Sequence, residues 1–314
     1  MIIVFGSINM DMVFRAKKLP QAGETVLCDD YNITSGGKGA NQALAAVRMG
    51  GKVALVGCAG DDGPALRMLR KLRGAGVMTT GVAESQDLLT GCAVVMTDQN
   101  GNNQVIVAGG ANKQAKADQV PDEILLPANV VLMQMEMEPE ENWKLIDRAH
   151  QRGCKTILNL APAIHIPQNV MEKLDYLIVN QIEARQIADL LKMTVEKNVL
   201  KLATALSKPG KLNCIVTLGE QGCVACNKNG DLITVPAIKL APGEIVDTTG
   251  AGDAWCGTFA GAIQSGYDLV QAMQMASVAG SLACLKHGAQ DSFAYLGDIQ
   301  ENLGRLGETI RGKI

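Results

Sequence analysis

Two aspartates flank a Gly-Ala-Gly turn in "VDTTGAGDAW", residues 246–255, at the mouth of an apolar helix. The start of a helix leaves backbone N–H groups without partners and carries the positive end of the helix dipole, so it can hold an anion. A carboxylate in that first turn, Asp253, would repel a resting phosphate. It suits phosphoryl transfer to an alcohol instead. The hydroxyl needs a base as it attacks, and the amides of Gly250, Ala251 and Gly252 can hold the charge growing on the transferring group. The plainer reading of Asp253, a carboxylate that complements the helix dipole, leaves the glycines before it unexplained. Asp247, six residues earlier, would hold the loop or bind a cation.

A second glycine-rich helix start is "SGGKGANQALAAVRMGG", residues 35–51. Gly36, Gly37 and Gly39 let backbone come close to a ligand. Lys38 and Asn41 offer donors, and an amphipathic helix runs from about Ala40 to Met49, ended by Gly50-Gly51.

Both motifs need a scaffold, and the chain supplies one in alternating pieces. Short apolar runs at 2–5, 53–58, 130–135, 155–160, 176–180 and 214–219 are separated by amphipathic stretches at 40–49, 64–73, 139–151, 183–191 and 196–206. Buried runs alternating with helices predict a parallel sheet covered on both faces. The last third reads as helices at 254–265, 268–285 and 296–311. Residues 23–34 and 89–107 break the pattern and read as antiparallel strands, the second with an Asn-Gly turn at 100–101. They predict a small separate sheet lying over something. Polar residues recur where the parallel strands end: Asn9 and Asp11, Glu136, Asn159, Asn180, and Thr217 to Gly219. Ligands of open α/β sheets bind in that crevice. Ordinary turns account for Asn and Gly there, but not for Glu136 or Asp11.

Composition narrows the classes. The 314 residues are 47% hydrophobic and 19% charged, with net charge −3 and pI near 5.7. That supports a large core and gives no basic excess for nucleic acid or anionic membrane. The basic run "RMLRKLR", 67–73, spaces its apolar residues as the solvated face of a helix would. No apolar segment approaches the ~20 residues of a membrane span, and the run before Gly6 is too short for a signal peptide. Nine scattered cysteines suit reduced core thiols and a cytoplasmic location. Cys223 and Cys226 form a C-x-x-C, but inside a strand-like stretch and without a second pair, so a metal or redox site is not expected. There is no G-x-G-x-x-G after the first strand, no P-loop and no H-R-D or D-F-G, which disfavours a nicotinamide oxidoreductase and the common nucleotide folds.

"SGGKGANQA" and "DTTGAGD" resemble the two signatures of the ribokinase (PfkB-type carbohydrate kinase) family, in order and across the whole chain. "GSINMD", "NQIE", "VTLGEQG" and "KHGAQDS" extend the resemblance, and "GGKGANQA" is closest to the ribokinase branch. The resemblance implies an α/β three-layer sandwich over residues 1–314, one domain with a mostly parallel central sheet and a β-sheet lid from about 10–35 and 89–110. It implies ATP-dependent phosphorylation of a sugar hydroxyl, D-ribose to D-ribose 5-phosphate, with a nucleoside or another sugar as the alternative acceptor; aromatic content of 3% favours a free sugar. A non-catalytic sensor on this fold is a third possibility, opposed by the intact Asp253 turn.

By the same resemblance Asp253 is the catalytic base, and the Gly250, Ala251 and Gly252 amides are the anion hole. Asn9, Asp11, Gly37, Lys38, Gly39, Asn41 and Glu136 bind the sugar. Asn180, Thr217, Gly219, Gly222 and Gly252 line the ATP side, with Ser277 near the adenine where Asn is more usual. Glu183 serves magnesium through water. A monovalent cation, usually potassium, lies at Asp247 with Thr249, Ala283, Lys286, Gly288 and Ser292, mostly through backbone oxygens. The lid strands pair between subunits in a homodimer. Departures from the family are Asp291 in place of Pro, "NLAPA" at 159–163, and Met10, Met12, Met133, Met135 and Met137 crowding the expected sugar side.

Overall fold

A computed structural model describes the chain except residues 29, 100–102, 196–197, 242 and 314. In chain order the strands and helices begin with β1 (Ile2–Phe5), β2 (Asn9–Arg15), β3 (Tyr31–Gly36), α1 (Lys38–Arg48), β4 (Val53–Gly60), α2 (Gly63–Gly74) and β5 (Met78–Ser85). The hairpin β6 (Gly91–Thr97) and β7 (Asn103–Ala108) precedes β8 (Val130–Gln134), α3 (Pro139–Gln151), β9 (Lys155–Asn159), α4 (Gln168–Met171) and β10 (Tyr176–Asn180). Then come α5 (Gln181–Leu190), α6 (Val199–Ser207), β11 (Asn213–Thr217), β12 (Cys223–Cys226) and β13 (Asp231–Val235). The chain closes with α7 (Ala251–Gln264), α8 (Leu269–Ala283), α9 (Leu296–Asn302) and β14 (Ile310–Lys313).

Among the described residues the large sheet runs β14-β13-β12-β11-β10-β9-β8-β1-β4-β5. It is parallel from β11 through β5, and β12, β13 and β14 add antiparallel strands at one edge. Its middle is apolar on both faces, which is why "IIVF" is buried throughout. Alternation sorts those residues: Ile2 and Val4 join a core with Leu44, Phe259 and Met273, while Ile3 and Phe5 join a core with Leu145, Ile187 and Leu206. The sheet therefore separates α1, α2, α7 and α8 from α3, α5 and α6. Cys223 and Cys226 obey the same alternation and lie in different cores, so they share no site.

Local chemistry sets the helix starts. Asp62 accepts from Ala65 N at 2.9 Å to cap α2, and Asp268 caps α8 reciprocally with Gln271. Helix α7 is buried all round from Asp253 to Ile263, with Trp255 stacked on Phe259 at 5.2 Å. Among the described residues no helix is long and apolar enough to cross a membrane.

The small sheet has the order β3-β2-β6-β7. β2/β3 and β6/β7 are antiparallel, and a parallel β2/β6 pair joins the two hairpins. The expected strand over 23–34 begins only at Tyr31, and the Asn-Gly turn lies outside the described residues. The helix expected over 296–311 stops at Asn302, and Ile310–Lys313 pairs instead with β13. Met133, Met135 and Met137 belong to the core beneath α3 and do not crowd a sugar side; Met135 Sδ accepts from Asn142 Nδ2 at 3.5 Å.

Candidate active site

Parallel strands share a direction, so β1, β8, β9, β10 and β11 bring their carboxyl ends to one edge. Glu136 follows β8 there, and its Oε2 is an assembly point. It accepts from Ser7 Oγ at 2.5 Å, Lys38 N at 3.1 Å and Asn9 Nδ2 at 3.4 Å. Ser7 Oγ in turn accepts from Gly39 N at 3.3 Å. The glycines of the first motif allow this closeness. A Cβ on Gly39 would stand 2.4 Å from Gly6 C, and one on Gly37, at φ 87°, would stand 2.6 Å from Asn9 N. A Cβ on Gly36 would fall 1.9 Å from Asp11 Oδ2. The close approach expected toward a ligand is thus made first to the protein's own backbone and to Asp11.

Asn9 is fixed from its other side. Asn112, in a short turn at Gly110–Gln114, donates to Asn9 Oδ1 at 2.8 Å and to Ile8 O at 3.2 Å, and accepts from Ile8 N at 2.9 Å. Ser7 and Asn112 were not singled out from sequence. A serine in a glycine turn and an asparagine two residues after a Gly-Gly pair carry no signal until the fold brings them together.

Asp253 sits in the first turn of α7, buried, with both oxygens held. Gln42 Nε2 donates to Oδ1 at 2.9 Å and Asn41 Nδ2 donates to Oδ2 at 2.9 Å. Gly250 caps the helix at φ 77° and packs where a Cβ would stand 2.6 Å from Ala289 Cβ. Gly252 meets no atom within 4 Å at its Cβ position. It lines a cavity of about 700 Å³ with Thr217, Gly219, Gly222, Ala251 and Ser277. Ile238, Leu240 and Ile245 add apolar wall.

Charge is dense between the two helix starts. Burial, with Glu136 and Asp253 nearby, pushes Asp11 up to about 7 despite Lys38. Burial alone would lower the Lys38 ammonium, but Asp253, Glu136 and Glu183 outweigh it and hold it above its ordinary value. Burial raises the Glu183 carboxyl, partly opposed by the Asn180 N–H and Lys38. Asn180 does not line the cavity. It caps α5, exchanging hydrogen bonds of 2.8 Å with Glu183 in both directions.

Asp247 joins two loops, accepting from Thr249 N and Gly288 N at 2.9 Å each. Burial would raise its carboxyl, but those bonds and His287 hold it below the ordinary value. Cys284 O accepts from Val246 N at 2.8 Å, just beyond Ala283 at the end of α8. Lys286 is exposed, and buried Ser292 donates to Ala289 O at 2.7 Å. Among the described residues no cluster of His, Cys, Asp and Glu could hold a metal by side chains alone.

The chain matches the model of "pfkB family carbohydrate kinase" over residues 1–294. It is 34% identical to the ribokinase of Bacillus subtilis over 304 residues, 96% of this chain and 99% of that one. It is 30% identical to the deoxyribokinase of Salmonella typhi over 306 residues, 96% of this chain and 98% of that one. The structure of Arabidopsis thaliana ribokinase complexed with ribose and ATP matches with a TM-score of 0.85 at 28% identity, covering 96% of this chain and 98% of that one. The α/β architecture with a mostly parallel large sheet and a small separate sheet is therefore that of a ribokinase.

Proposed function

The chain belongs to the pfkB family of carbohydrate kinases, and on that premise we propose that it uses ATP to phosphorylate D-ribose, giving D-ribose 5-phosphate. The observation that carries the reading is Asp253, buried and held at both oxygens, beside a glycine turn that opens on the 700 Å³ cavity. The Arabidopsis relative, solved with ribose and ATP, supports the choice of substrates.

Asn9, Asp11, Lys38, Asn41 and Glu136, with the backbone at Gly37 and Gly39, take the sugar. Three donors occupy Glu136 Oε2, which leaves Oε1 to accept a sugar hydroxyl. ATP lies in the cavity, its base against Ile238, Leu240 and Ile245 and near Ser277, its phosphates toward Gly252. The sugar oxygen attacks the γ-phosphorus, the bond to ADP breaks, and the hydroxyl proton passes to Asp253. The amides of Gly250, Ala251 and Gly252 hold the growing charge, the Ala251 N–H turning from Thr248 O to do so, and Lys38 offsets it. The small sheet covers the sugar and excludes water, which would otherwise take the phosphoryl group.

Glu183, an acid beside Lys38 and Asp253, would hold magnesium through water, and the bound ion would neutralise phosphate charge. Potassium fits at Asp247, an anionic oxygen donor where the 247–250 loop meets residues 283–292. Thr249, Ala283, Lys286, Gly288 and Ser292 would supply the other oxygens, mostly from backbone, and the ion's role would be to order the anion hole. The edge strands β3 and β7 expose Tyr31, Ile33 and Val105 to Val107, which supports a homodimer through the small sheet. A monomer mass at micromolar concentration would count against it.

The Salmonella relative named deoxyribokinase favours 2-deoxyribose as the second reading. ATP consumption on D-ribose, 2-deoxyribose, fructose, adenosine, inosine and pseudouridine, in potassium and in sodium, tests the assignment. Turnover highest on D-ribose and raised by potassium is the expected result; a nucleoside in first place would overturn the substrate.

A further inference from the structure

We propose that Gln42 and Gln290 are positioning residues for Asp253, each belonging to a chain of carboxamides that holds one oxygen of the base. The inference rests on the reading of Asp253 as the base.

The first chain comes from the sheet. Gln134 Nε2 donates to Gln42 Oε1 at 2.8 Å, and Gln42 Nε2 donates to Asp253 Oδ1 at 2.9 Å and to Asn159 Oδ1 at 3.0 Å. The second comes from the C-terminal loop. Gln290 Nε2 donates to Asn41 Oδ1 at 3.1 Å, and Asn41 Nδ2 donates to Asp253 Oδ2 at 2.9 Å. Gln42, Gln134, Gln290 and Asn41 are all buried.

Every amide in both chains donates toward the carboxylate. A run of amides with one direction leaves the oxygen at its far end without a donor from within the run. Those ends exist: among the described residues, Gln134 Oε1 and Gln290 Oε1 are buried without a hydrogen-bond partner. An unmet buried acceptor is costly, so two at the far ends of one network mark a polarity imposed by the anion in its middle. Room is made for one of them at Gly6, where a Cβ would stand 2.1 Å from Gln134 Oε1.

The loop chain is anchored independently. One Arg48 nitrogen donates to Gln290 O at 2.8 Å and to Phe293 O at 2.6 Å, and Lys71 pairs with Asp291 at 2.7 Å. Asp291, the departure noted in the sequence, is therefore part of the seat. Gly288, which holds Asp247, lies two residues before Gln290. Asp247 and the orientation of the base are thus joined through covalent chain and three hydrogen bonds. A carboxylate pinned at both oxygens cannot turn about its Cβ–Cγ bond, so one lone pair stays aimed at the incoming hydroxyl.

Gln42→Met and Gln290→Met keep volume and remove the N–H donors. Each should lower kcat by about 10- to 100-fold, the cost of a small misplacement of a reacting group, with KM for sugar and ATP held within about twofold. In an Asp253→Asn background neither should lower kcat further. A loss that adds in that background, or a raised KM with kcat intact, would overturn the inference. If Gln42→Met fails to fold, Gln290→Met in its loop still decides. Normal kcat in both Met variants with an inactive Asp253→Asn removes the positioning role alone. Full turnover in Asp253→Asn removes the base reading itself.

Discussion

At the start of α1 the N–H groups of Lys38 and Gly39 turn inward, to Glu136 Oε2 and Ser7 Oγ. At the start of α7, Gly252 meets nothing within 4 Å at its Cβ position and lines the large cavity. Both turns are glycine-rich, both open a largely buried helix, and both lie beside acidic groups. At α1 the Lys38 and Gly39 donors go to side chains of the protein; at α7 the Ala251 N–H goes to Thr248 O at 3.2 Å, while Gly252 borders the cavity. Glycine spacing therefore locates a helix start that needs room, while the neighbours decide what fills it. At α1 the room holds backbone; at α7 Ala289 fills it beside Gly250, and it is open at Gly252.

The contrast can be broken by adding one methyl at each turn. Gly39→Ala drives a Cβ into Gly6 and Ser7 backbone at 2.4–2.5 Å. It should destabilise the protein by about 1–3 kcal/mol, read as a lower urea midpoint, and lower turnover with it. An unchanged midpoint would mean the α1 turn is not close-packed as described. Gly252→Ala should leave the midpoint within about 0.5 kcal/mol and raise KM for ATP about tenfold, the scale of one extra carbon in a binding site. Equal KM values would deny that turn to the phosphates.

The smallest effect sharpens the contrast through charge. Asp11, against Gly36 at the α1 turn, is raised from 3.8 to about 7. Between those values the folded chain keeps a proton that the unfolded chain has lost. This group's contribution to stability therefore falls as pH rises from about 4 to about 7, and is level above. Acceptance of sugar hydroxyls needs the carboxylate, so KM for ribose should fall as pH rises from 6 to 8. Asp11→Asn should remove that step, and a flat wild-type profile would exclude Asp11 as the acceptor.

Much of the scaffold was legible because burial on both faces leaves a plain mark. The runs 2–5 and 176–180 and the helix 139–151 matched their elements residue for residue. β14 was not legible: "IRGK" is exposed throughout and shows no alternation, so the helical pattern before it was carried too far. The placement of Asp253 in a first helical turn and of Glu136 past a strand end could be read from residue type and position. The glutamines could not. Gln42 reaches Asp253 across 211 positions and Gln290 reaches Asn41 across 249, and a carboxamide has no distinctive pattern until the fold supplies its partner.

Asn112 grips Ile8 on both backbone groups and the Asn9 side chain, where β1 of the large sheet passes into β2 of the small one. That makes the joint a fulcrum and the small sheet a plate hung from it. At ~3.3 Å per residue, Asp11 rides ~7 Å beyond Asn9 and Arg15 ~20 Å beyond it. A tilt of ~10° would carry Asp11 by ~1 Å and the tip of β2 by ~3.5 Å, with Asn9 almost at rest, given that rise. Contacts near the fulcrum set registration, and contacts farther out along β2 report angle.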